Sequence, residues 1–450
     1  MPYRNQFASK GGHSDLVRNP DVMAFITECD YLKQPSEEQA LRIAETFQQA
    51  PTSSTLPKYA IAIDGSPYSE PIHGLFPSTQ VGYVKVSVML IDLNHYSNLQ
   101  GISNRFVDPF KVAALHRNAD AFSFTLPGSN IRYRGAKSVA DGFRRAIWDQ
   151  LSDGRTKFSN DNSFTVRGTL LDLEDGTVEI YKCPSCNIEH HFCFTEGNEV
   201  IKCSNCNEDV FLTDTLRIHE QISDFGDCTS AITRFMNASE QLLLATFIRM
   251  LFHHNPQILS QMAFIIDGPL AVFGQPAKIS FQLVRFYNKI STELSKKGIQ
   301  SPIVFGLQKD GAVMEHARSI ETYIQDNSFR LIDDEYRNLH IAPVNNDNFG
   351  SETYFGQDFI FKLKSGRIFN FAIPYPFTNK SGTLDFRKKK AHIPYYGDSI
   401  ARTLDVIRHF ELDLFENAIV PVALAHRHAS ISVIPGGKVL ELITKHGLNA

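Results

Sequence analysis

The sequence lacks the long apolar runs that membrane spans and secretion signals require. The longest clean apolar run among its 450 residues, Ala418–Ala425, has eight residues, whereas a membrane span needs about 18. The segment 1–15 has no apolar core of the kind found in signal peptides. We therefore expect a cytoplasmic protein without membrane contact.

An excess of basic residues and a disulfide framework are also absent. The chain has 45 Lys and Arg against 49 Asp and Glu, and this formal charge of -4, taken alone, argues against a nucleic-acid partner. Five of its seven cysteines fall within 24 residues, and the odd total argues against a set of disulfides. Hydrophobic residues make up 42% of the chain, as in ordinary globular proteins, which excludes wholesale disorder.

Strand and helix patterns alternate along most of the chain, without internal repeats. The predicted strands are 58–66, 81–93, 302–309 and a hairpin over 358–376. Segment 163–181 has strand alternation with a DLEDG turn, and segment 262–274 reads as a buried strand, a turn and further apolar chain. The predicted helices are 36–50, 138–151, 237–252, 278–298 and 399–415. Strands interspersed with helices indicate an α/β protein with a mixed sheet flanked by helices.

The cysteine cluster has the spacing of a structural zinc site. Two C-x2-C pairs, with sixteen residues between them, are formed by Cys183, Cys186, Cys203 and Cys206. Four thiolates close the tetrahedral shell of a Zn²⁺ ion, so the cluster predicts an inserted zinc ribbon that braces the fold or binds a partner. The alternative is a set of small thiols without metal. The residues that could replace a misassigned ligand are Cys193, His190 and His191.

Two Asp-Gly steps follow apolar strands and suggest a cation site. Asp64-Gly65 follows the strand at 58–63, and Asp267-Gly268 follows the strand at 262–266. Carboxylates held on neighbouring strands supply the hard oxygen ligands that divalent cations prefer. The alternative is ordinary turn residues, because Asp-Gly is common in hairpins.

Three further polar residues stand in contexts that allow a functional or a structural interpretation. Glu240 begins an apolar helical run and could be a solvated acid of a first helical turn. His426 and His428 lie in the apolar segment PVALAHRHA, where a hydrogen-bonded core histidine is the usual explanation. Lys309 ends a strand and could simply face solvent.

The order of these motifs resembles that of the NurA nuclease family. The motifs are IAIDGS, a helix with Glu240, IIDGPL, VFGLQK and PVALAHRHA, within roughly 58–435 and with the zinc ribbon as an insertion. The resemblance implies a ribonuclease H-like core that cuts or resects DNA with Mn²⁺ or Mg²⁺. It also implies a homodimer docked on a hexameric HerA-type translocase ATPase.

The resemblance assigns site residues one by one. Asp64 and Asp267 match the first and second catalytic aspartates, and Glu240 is the acid between them. His426 matches the C-terminal histidine, with His428 as the fallback, and Lys309 matches a lysine that contacts the scissile phosphate. The carboxylates and the histidine are then expected to hold a pair of catalytic ions. The chain departs from the simplest family pattern in its four-cysteine insertion and in Asp-Gly-Pro-Leu at the second aspartate.

These assignments divide the chain into a helical N-terminal segment, a nuclease core in two parts and the ribbon between them. The expected bounds are 1–56 for the N-terminal segment, 57–181 for the first part of the core and 182–212 for the ribbon. The second part of the core, 213–450, is expected to end in a helix and a strand.

Two basic segments could follow a DNA strand or could be solvated surfaces. Segment 131–145 has five basic residues and one acid, and segment 386–392 has four basic residues and no acid. Both have aromatic neighbours, which fits backbone contacts combined with base stacking.

The competing hypothesis is a catalytically silent zinc-ribbon adaptor that dimerises and binds DNA or a translocase. A third keeps the nuclease chemistry and changes the substrate to RNA or an RNA–DNA hybrid. The nuclease hypothesis fits either DNA repair or antiviral defence.

Overall fold

The structure is a computed structural model that describes most of the chain. The described residues are 12–29, 34–53, 55–73, 75–98, 119–156, 164–342, 349–380, 382–412, 418–431 and 438–447. Within these ranges, no helix combines the length and apolarity that a membrane crossing requires.

A nine-stranded mixed sheet is the centre of the fold. The strands, numbered along the chain, are β1 (Gln48–Gln49), β2 (Tyr59–His73), β3 (Phe76–Asp92), β4 (Ala119–Pro127), β5 (Val178–Lys182), β6 (Glu189–Phe194), β7 (Val200–Lys202), β8 (Asp209–Phe211), β9 (Met262–Asp267), β10 (Ile303–Gln308), β11 (Ser328–Leu331), β12 (Gly356–Lys362) and β13 (Ile368–Pro374). The order in the large sheet is β1-β11-β12-β13-β10-β9-β2-β3-β4, and β5–β6 and β7–β8 form two small hairpins outside it.

Five neighbouring strands have the ribonuclease H-like arrangement. β2, β3 and β4 are antiparallel to one another, whereas β9 runs parallel to β2 and β10 runs parallel to β9. The remaining strands extend the sheet beyond β10 through antiparallel pairs. The predicted α/β class with a mixed sheet is confirmed.

Helices cover both faces of the sheet. They are α1 (Gly12–Arg18), α2 (Pro20–Glu28), α3 (Glu37–Ala44), α4 (Leu93–Ser97), α5 (Val139–Ser152), α6 (Val166–Leu173), α7 (Thr229–His254), α8 (Pro256–Leu259), α9 (Lys278–Lys296), α10 (Ala312–Ile320), α11 (Asp334–His340), α12 (Thr383–Lys390), α13 (Ser399–Phe410), α14 (Val420–Ala429) and α15 (Lys438–Gly447).

The alternation of side chains along β2 shows how the two faces are filled. Ile61 and Ile63 enter the core shared with α5, α6, α7 and α9. Ala60 and Ala62 enter the opposite core, shared with α4, α13 and α14. Because successive strand residues point to opposite faces, the buried segment 60–63 of this strand is apolar at every position rather than at every second one.

Several predicted elements are confirmed, and two differ. The capping box of Ser36 and Gln39 starts α3 as predicted, but that helix ends at Ala44 rather than at 50. Segment 163–181 is not extended on both sides of its DLEDG turn: Thr165 caps α6 before the turn, and only β5 after it is a strand. The described residues after β13 contain helices and no strand, but residues 413–417, 432–437 and 448–450 lie outside the described ranges, so the predicted C-terminal strand stays a prediction.

Candidate active site and metal centre

Asp64 and Asp267 stand side by side where two parallel strands part. The pairing of β2 with β9 ends at Ile63 and Ile266, and the aspartates are the next residues on each strand. β9 then stops, and Gly268 turns the chain away with a φ of 126°. β2 continues to His73, paired with β3, so Asp64 lies inside a strand rather than at the strand end that its sequence predicts.

A histidine and a lysine from two other elements reach these aspartates. His426, on α14, places its Nδ1 2.8 Å from Oδ2 of Asp64 and 3.7 Å from Oδ2 of Asp267. Lys309, directly after β10, donates a hydrogen bond from Nζ to Asp267. Ligand atoms of Asp64, Asp267 and His426 all lie within 4.8 Å of one another, a geometry that could hold a metal ion.

Glu240 approaches the two aspartates from the helical layer on the face of the sheet opposite α14. It lies in the middle of α7 and is 5% exposed, so it is not the solvated first-turn acid that its sequence context allows. A Cβ atom at Gly65 would come within 2.7 Å of Oε1 of Glu240. The glycine after Asp64 is therefore required because a side chain there would displace the third carboxylate.

Crowding and burial make the carboxyl groups of the site hard to ionise. Burial, followed by the charge of Asp267, raises the pKa of Asp64 to about 6. Burial and the two aspartates raise the pKa of Glu240 well above its usual value, and burial raises the pKa of Asp267. Three ionised carboxylates in this space need a compensating cation, since Lys309 and His426 supply at most two positive charges.

A small cavity opens between the carboxylates and α7. Its volume is about 110 Å³, and it is lined by Asp64, Gly65, Met236, Asn237, Glu240, Gln241, Ile266, Asp267, Pro269, Ala271 and Phe273. Gln241 is 3% exposed, and its buried Oε1 has no hydrogen-bond partner among the described residues. Buried polar atoms usually have a partner, so an unpaired acceptor here fits a cavity that holds water or a hydrated cation.

Asn237 and Gln241 also line the cavity, and neither is predicted as a site residue from the sequence. Asn237 lies three residues before Glu240 and four before Gln241 on α7. Polar residues three and four positions apart share one face of a helix, so this spacing is the signal that could have indicated them.

The fallback histidine lies apart from the carboxylate group. His428 is two residues beyond His426 on α14, and its backbone carbonyl accepts a hydrogen bond from Lys85. The set of ligand atoms that could share a metal includes His426 and not His428. His426 is also an exposed side chain, which differs from the core histidine that the apolar sequence context favours.

The four cysteines form a tetrahedral group of sulfur atoms. The Sγ atoms of Cys183 and Cys206 are 3.7 Å apart, and those of Cys186 and Cys203 are 3.9 Å apart. A tetrahedral zinc ion with Zn–S bonds of about 2.3 Å requires S···S distances of about 3.8 Å. The donor set and its spacing therefore fit Zn²⁺, as the sequence predicts.

Each cysteine pair is built on the same backbone turn. The N–H of Cys183 donates to Ile188 and its carbonyl accepts from Asn187, whereas Cys203 bonds in the same way to Glu208 and Asn207. The sequences CPSCN and CSNCN thus fold into two equivalent knuckles.

The three proposed substitute ligands lie elsewhere on the ribbon. Cys193 is exposed on β6. His191 stacks on Tyr181, and His190 contacts the edge of Phe192. None of these residues belongs to the group that could share a metal ion within the described ranges.

A buried arginine fastens the ribbon to α5. Arg144 is 2% exposed and makes two hydrogen bonds to Asp214, at 3.0 and 2.7 Å, and one to Asp141 at 2.8 Å. It also donates to the hydroxyl of Ser185 in the first knuckle and to the carbonyl of Asp209 after the second. One side chain therefore ties both knuckles to the helical layer.

The basic segments are largely neutralised within the chain. In 131–145, Arg144 is buried as described, and Lys137 and Arg145 both pair with Glu208. In 386–392, Lys390 is 2% exposed and pairs with Asp334. These contacts favour a structural role for both segments over a DNA-binding surface.

We expect Asp64→Asn to stabilise the metal-free protein above about pH 6. The pKa of Asp64 rises from 3.8 to about 6 on folding, so the folded state binds this proton more tightly and loses stability as the pH rises between those values. The groups facing it are Glu240, Asp267, Lys309 and His426. The gain should reach at most about 3 kcal/mol above pH 6 and vanish below about pH 4. Urea unfolding of the parent and Asp64→Asn proteins in EDTA measures this difference in the free energy of unfolding.

The control for this comparison is Asp310→Asn, since that side chain is 86% exposed beside the site. It should leave the free energy of unfolding unchanged at every pH. Identical pH dependence of the parent and Asp64→Asn proteins would contradict the assigned crowding.

We expect about one zinc ion per chain, and we expect Cys183→Ser with Cys186→Ser to remove it. Elemental analysis of the purified full-length protein measures the ratio. Cys193→Ser is the matched control, because this cysteine is exposed and outside the sulfur group. A parent protein without zinc would refute the ribbon.

We expect Arg144→Gln to cost about 3–5 kcal/mol of stability, because it leaves Asp214 buried without its cation. Arg134→Gln in the same basic segment should cost about 1 kcal/mol or less, since its pair with Asp149 is solvent-exposed. Denaturant unfolding distinguishes the two. Equal effects would contradict the anchoring role of Arg144.

No family model and no curated protein matches the sequence. Among solved structures, the chain is similar to the crystal structure of the NurA nuclease from Sulfolobus solfataricus, with 11% sequence identity, 98% of each chain covered and a TM-score of 0.36. Because the identity and the TM-score are both low, the function proposed below is based on the geometry of the site.

Proposed function

We propose that this protein is a metal-dependent DNA nuclease. The observation that carries the proposal is the convergence of Asp64, Asp267 and His426 from three separate elements, with Lys309 bound to Asp267. Glu240 lies outside that group of ligand atoms but lines the same cavity as the two aspartates. Burying three acids together is costly, and a structural role does not require it. Perturbed carboxyl groups that line a cavity are typical of catalytic sites.

The residues present fit hard divalent cations. Carboxylate oxygens of Asp64, Glu240 and Asp267, with Nδ1 of His426, would hold Mn²⁺ or Mg²⁺. In such a site, a pair of bound cations supplies charge stabilisation and an activated water for phosphodiester hydrolysis. The unpaired Oε1 of Gln241 is placed to accept a hydrogen bond from water in the same cavity.

The two cationic side chains have distinct proposed roles. Lys309 is positioned to contact a non-bridging oxygen of the scissile phosphate and to offset its charge, since its ammonium group is a compact point charge. His426 is half-exposed at the opening of the site, so it is proposed either as a ligand or as the group that transfers a proton with solvent.

We expect Asp64→Asn and Asp267→Asn each to lower Mn²⁺-dependent DNA cleavage by at least about a hundredfold, because each removes a charged ligand. Asp310→Asn is the matched control and should cleave like the parent. The measurement is the rate of cleavage of linear and circular DNA, with and without Mn²⁺, by full-length protein of verified fold.

Undiminished cleavage by both aspartate variants would contradict the assigned site. Cleavage of RNA or of RNA–DNA hybrids in preference to DNA would retain the chemistry and change the substrate. A parent protein that cleaves none of these substrates would favour the catalytically silent adaptor.

The proposed partner is a HerA-type translocase ATPase, and the proposed assembly is a homodimer docked on it. Support for both comes from the order of the sequence motifs. Co-purification with a HerA-type hexamer, followed by mass determination of the complex, tests the partner and the stoichiometry together. Repair and antiviral defence are alternative settings for this activity.

A further inference from the structure

A line of polar side chains runs along α7 away from the carboxylates. Arg234, Asn237 and Gln241 follow one another at intervals of three and four residues, and Asn237 lies three residues before Glu240. Their neighbours Phe235, Ala238 and Leu242 are buried. These polar residues therefore form one line beside buried apolar neighbours.

The chain after β9 faces α7 across the carboxylate cavity. Pro269, Ala271 and Phe273 line that cavity, and Phe273 is half-buried. Arg234 is not part of the lining, but its guanidinium carbon lies 5.8 Å from the centre of the Phe273 ring. We call the surface that leads from the carboxylates past Phe273 to Arg234 the crevice; the cavity of about 110 Å³ is its small inner part.

Arg234 and Gln221 have hydrogen-bonding capacity that the described protein does not use. Nε of Arg234 and Oε1 of Gln221 are buried without partners, and no ion pair to Arg234 is found in the described ranges. Both side chains come together at Gly274, where a Cβ would lie 2.6 Å from Nε2 of Gln221 and 3.0 Å from Nε of Arg234. In contrast, Arg144 and Lys390 are fully occupied by acids within the chain.

The spacing between Arg234 and the carboxylates suits a strand of nucleic acid. Arg234 precedes Glu240 by six residues, which corresponds to about 9 Å along a helix. Nucleotides of a stacked strand rise about 3.4 Å each, so this separation spans two to three nucleotides. Arginine beside an aromatic ring is a combination that binds a phosphate and stacks on a base.

We propose that this crevice binds a single DNA strand next to the phosphodiester that is cut. Arg234, supported by Gln221, contacts a phosphate two to three nucleotides from that bond, and Phe273 packs against a base. This proposal rests on the proposed nuclease function, since it takes the carboxylate group as the position of the scissile phosphate. It places the strand along α7 rather than across the basic segments.

The test measures binding without cleavage. Full-length Asp64→Asn protein in EDTA is titrated into a fluorescent single-stranded oligonucleotide at several salt concentrations, and anisotropy reports the affinity. Adding Arg234→Gln should weaken binding about fivefold or more and reduce the slope of log affinity against log salt by about 0.7, the amount expected for one lost phosphate contact. Phe273→Ala should weaken binding about fivefold or more without changing that slope.

Two further variants separate binding from a structural role. Arg42→Gln removes an equally positive but exposed arginine on α3 and should leave affinity and slope unchanged. Arg234→Lys should restore the slope, because it keeps the charge. The proposal would be overturned if the Arg234→Gln protein bound the oligonucleotide with the same affinity as the Arg42→Gln protein. It would also be overturned if Arg234→Lys did not restore the slope of log affinity against log salt.

The nuclease function is tested separately, by Mn²⁺-dependent cleavage with the parent protein. If Arg234→Gln loses affinity for the oligonucleotide while the parent protein does not cleave DNA, the strand-binding crevice is supported and the nuclease function is rejected. An active parent whose Arg234→Gln variant binds normally would retain the nuclease and reject the crevice.

Discussion

Three carboxylates share one largely buried space, and much of the surrounding structure follows from that constraint. Asp64 and Asp267 meet because the pairing of β2 and β9 ends directly before them. Glu240 reaches them only because Gly65 has no side chain. An arrangement this unfavourable without cations is the kind of strained site that a protein maintains for function, at a cost in stability. Its geometry must be enforced by packing on both faces of the sheet.

Local sequence accounts fully for the position of Asp267 and only in part for that of Asp64. Asp267 ends β9, as an apolar strand followed by Asp-Gly predicts. Asp64 lies within β2, because that strand continues to His73 in its pairing with β3, and only its pairing with β9 stops at the aspartate. Glu240 could not be placed in the same way, because only tertiary packing decides that an acid in an apolar helix is buried. The helix α6 was missed for a related reason. Its leucines Leu170 and Leu171 enter two different cores, and this two-sided burial resembles a strand pattern when read along the sequence.

The basic segments show the limit of charge as a guide to partners. Their sequence fits DNA binding, yet Lys390 and Arg144 are among the most buried charged residues of the described chain. A run of Lys and Arg reveals nothing about the acids that face it in the fold. Asp334 lies 56 residues from Lys390 in the sequence, and Asp214 lies 70 residues from Arg144. Arg234, by contrast, is a single cation in an apolar segment and carries no compositional signal. Its lack of an acidic partner is visible only in three dimensions.

The ribbon is connected to the helical layer that carries Glu240 through side chains rather than by sequence proximity. Leu171 of α6 packs in the small core that also contains Cys183 and Cys203. On the same helix, the hydroxyl of Thr169 lies 2.7 Å from that of Thr246 on α7, the helix that carries Glu240.

A metal ion that holds the four cysteines would therefore stiffen the ribbon, then α6, and through it α7. Closing the sulfur group constrains the two knuckles relative to each other, so binding free energy becomes folding free energy there. On this physical account, the inserted ribbon supports the position of the third carboxylate without touching the site.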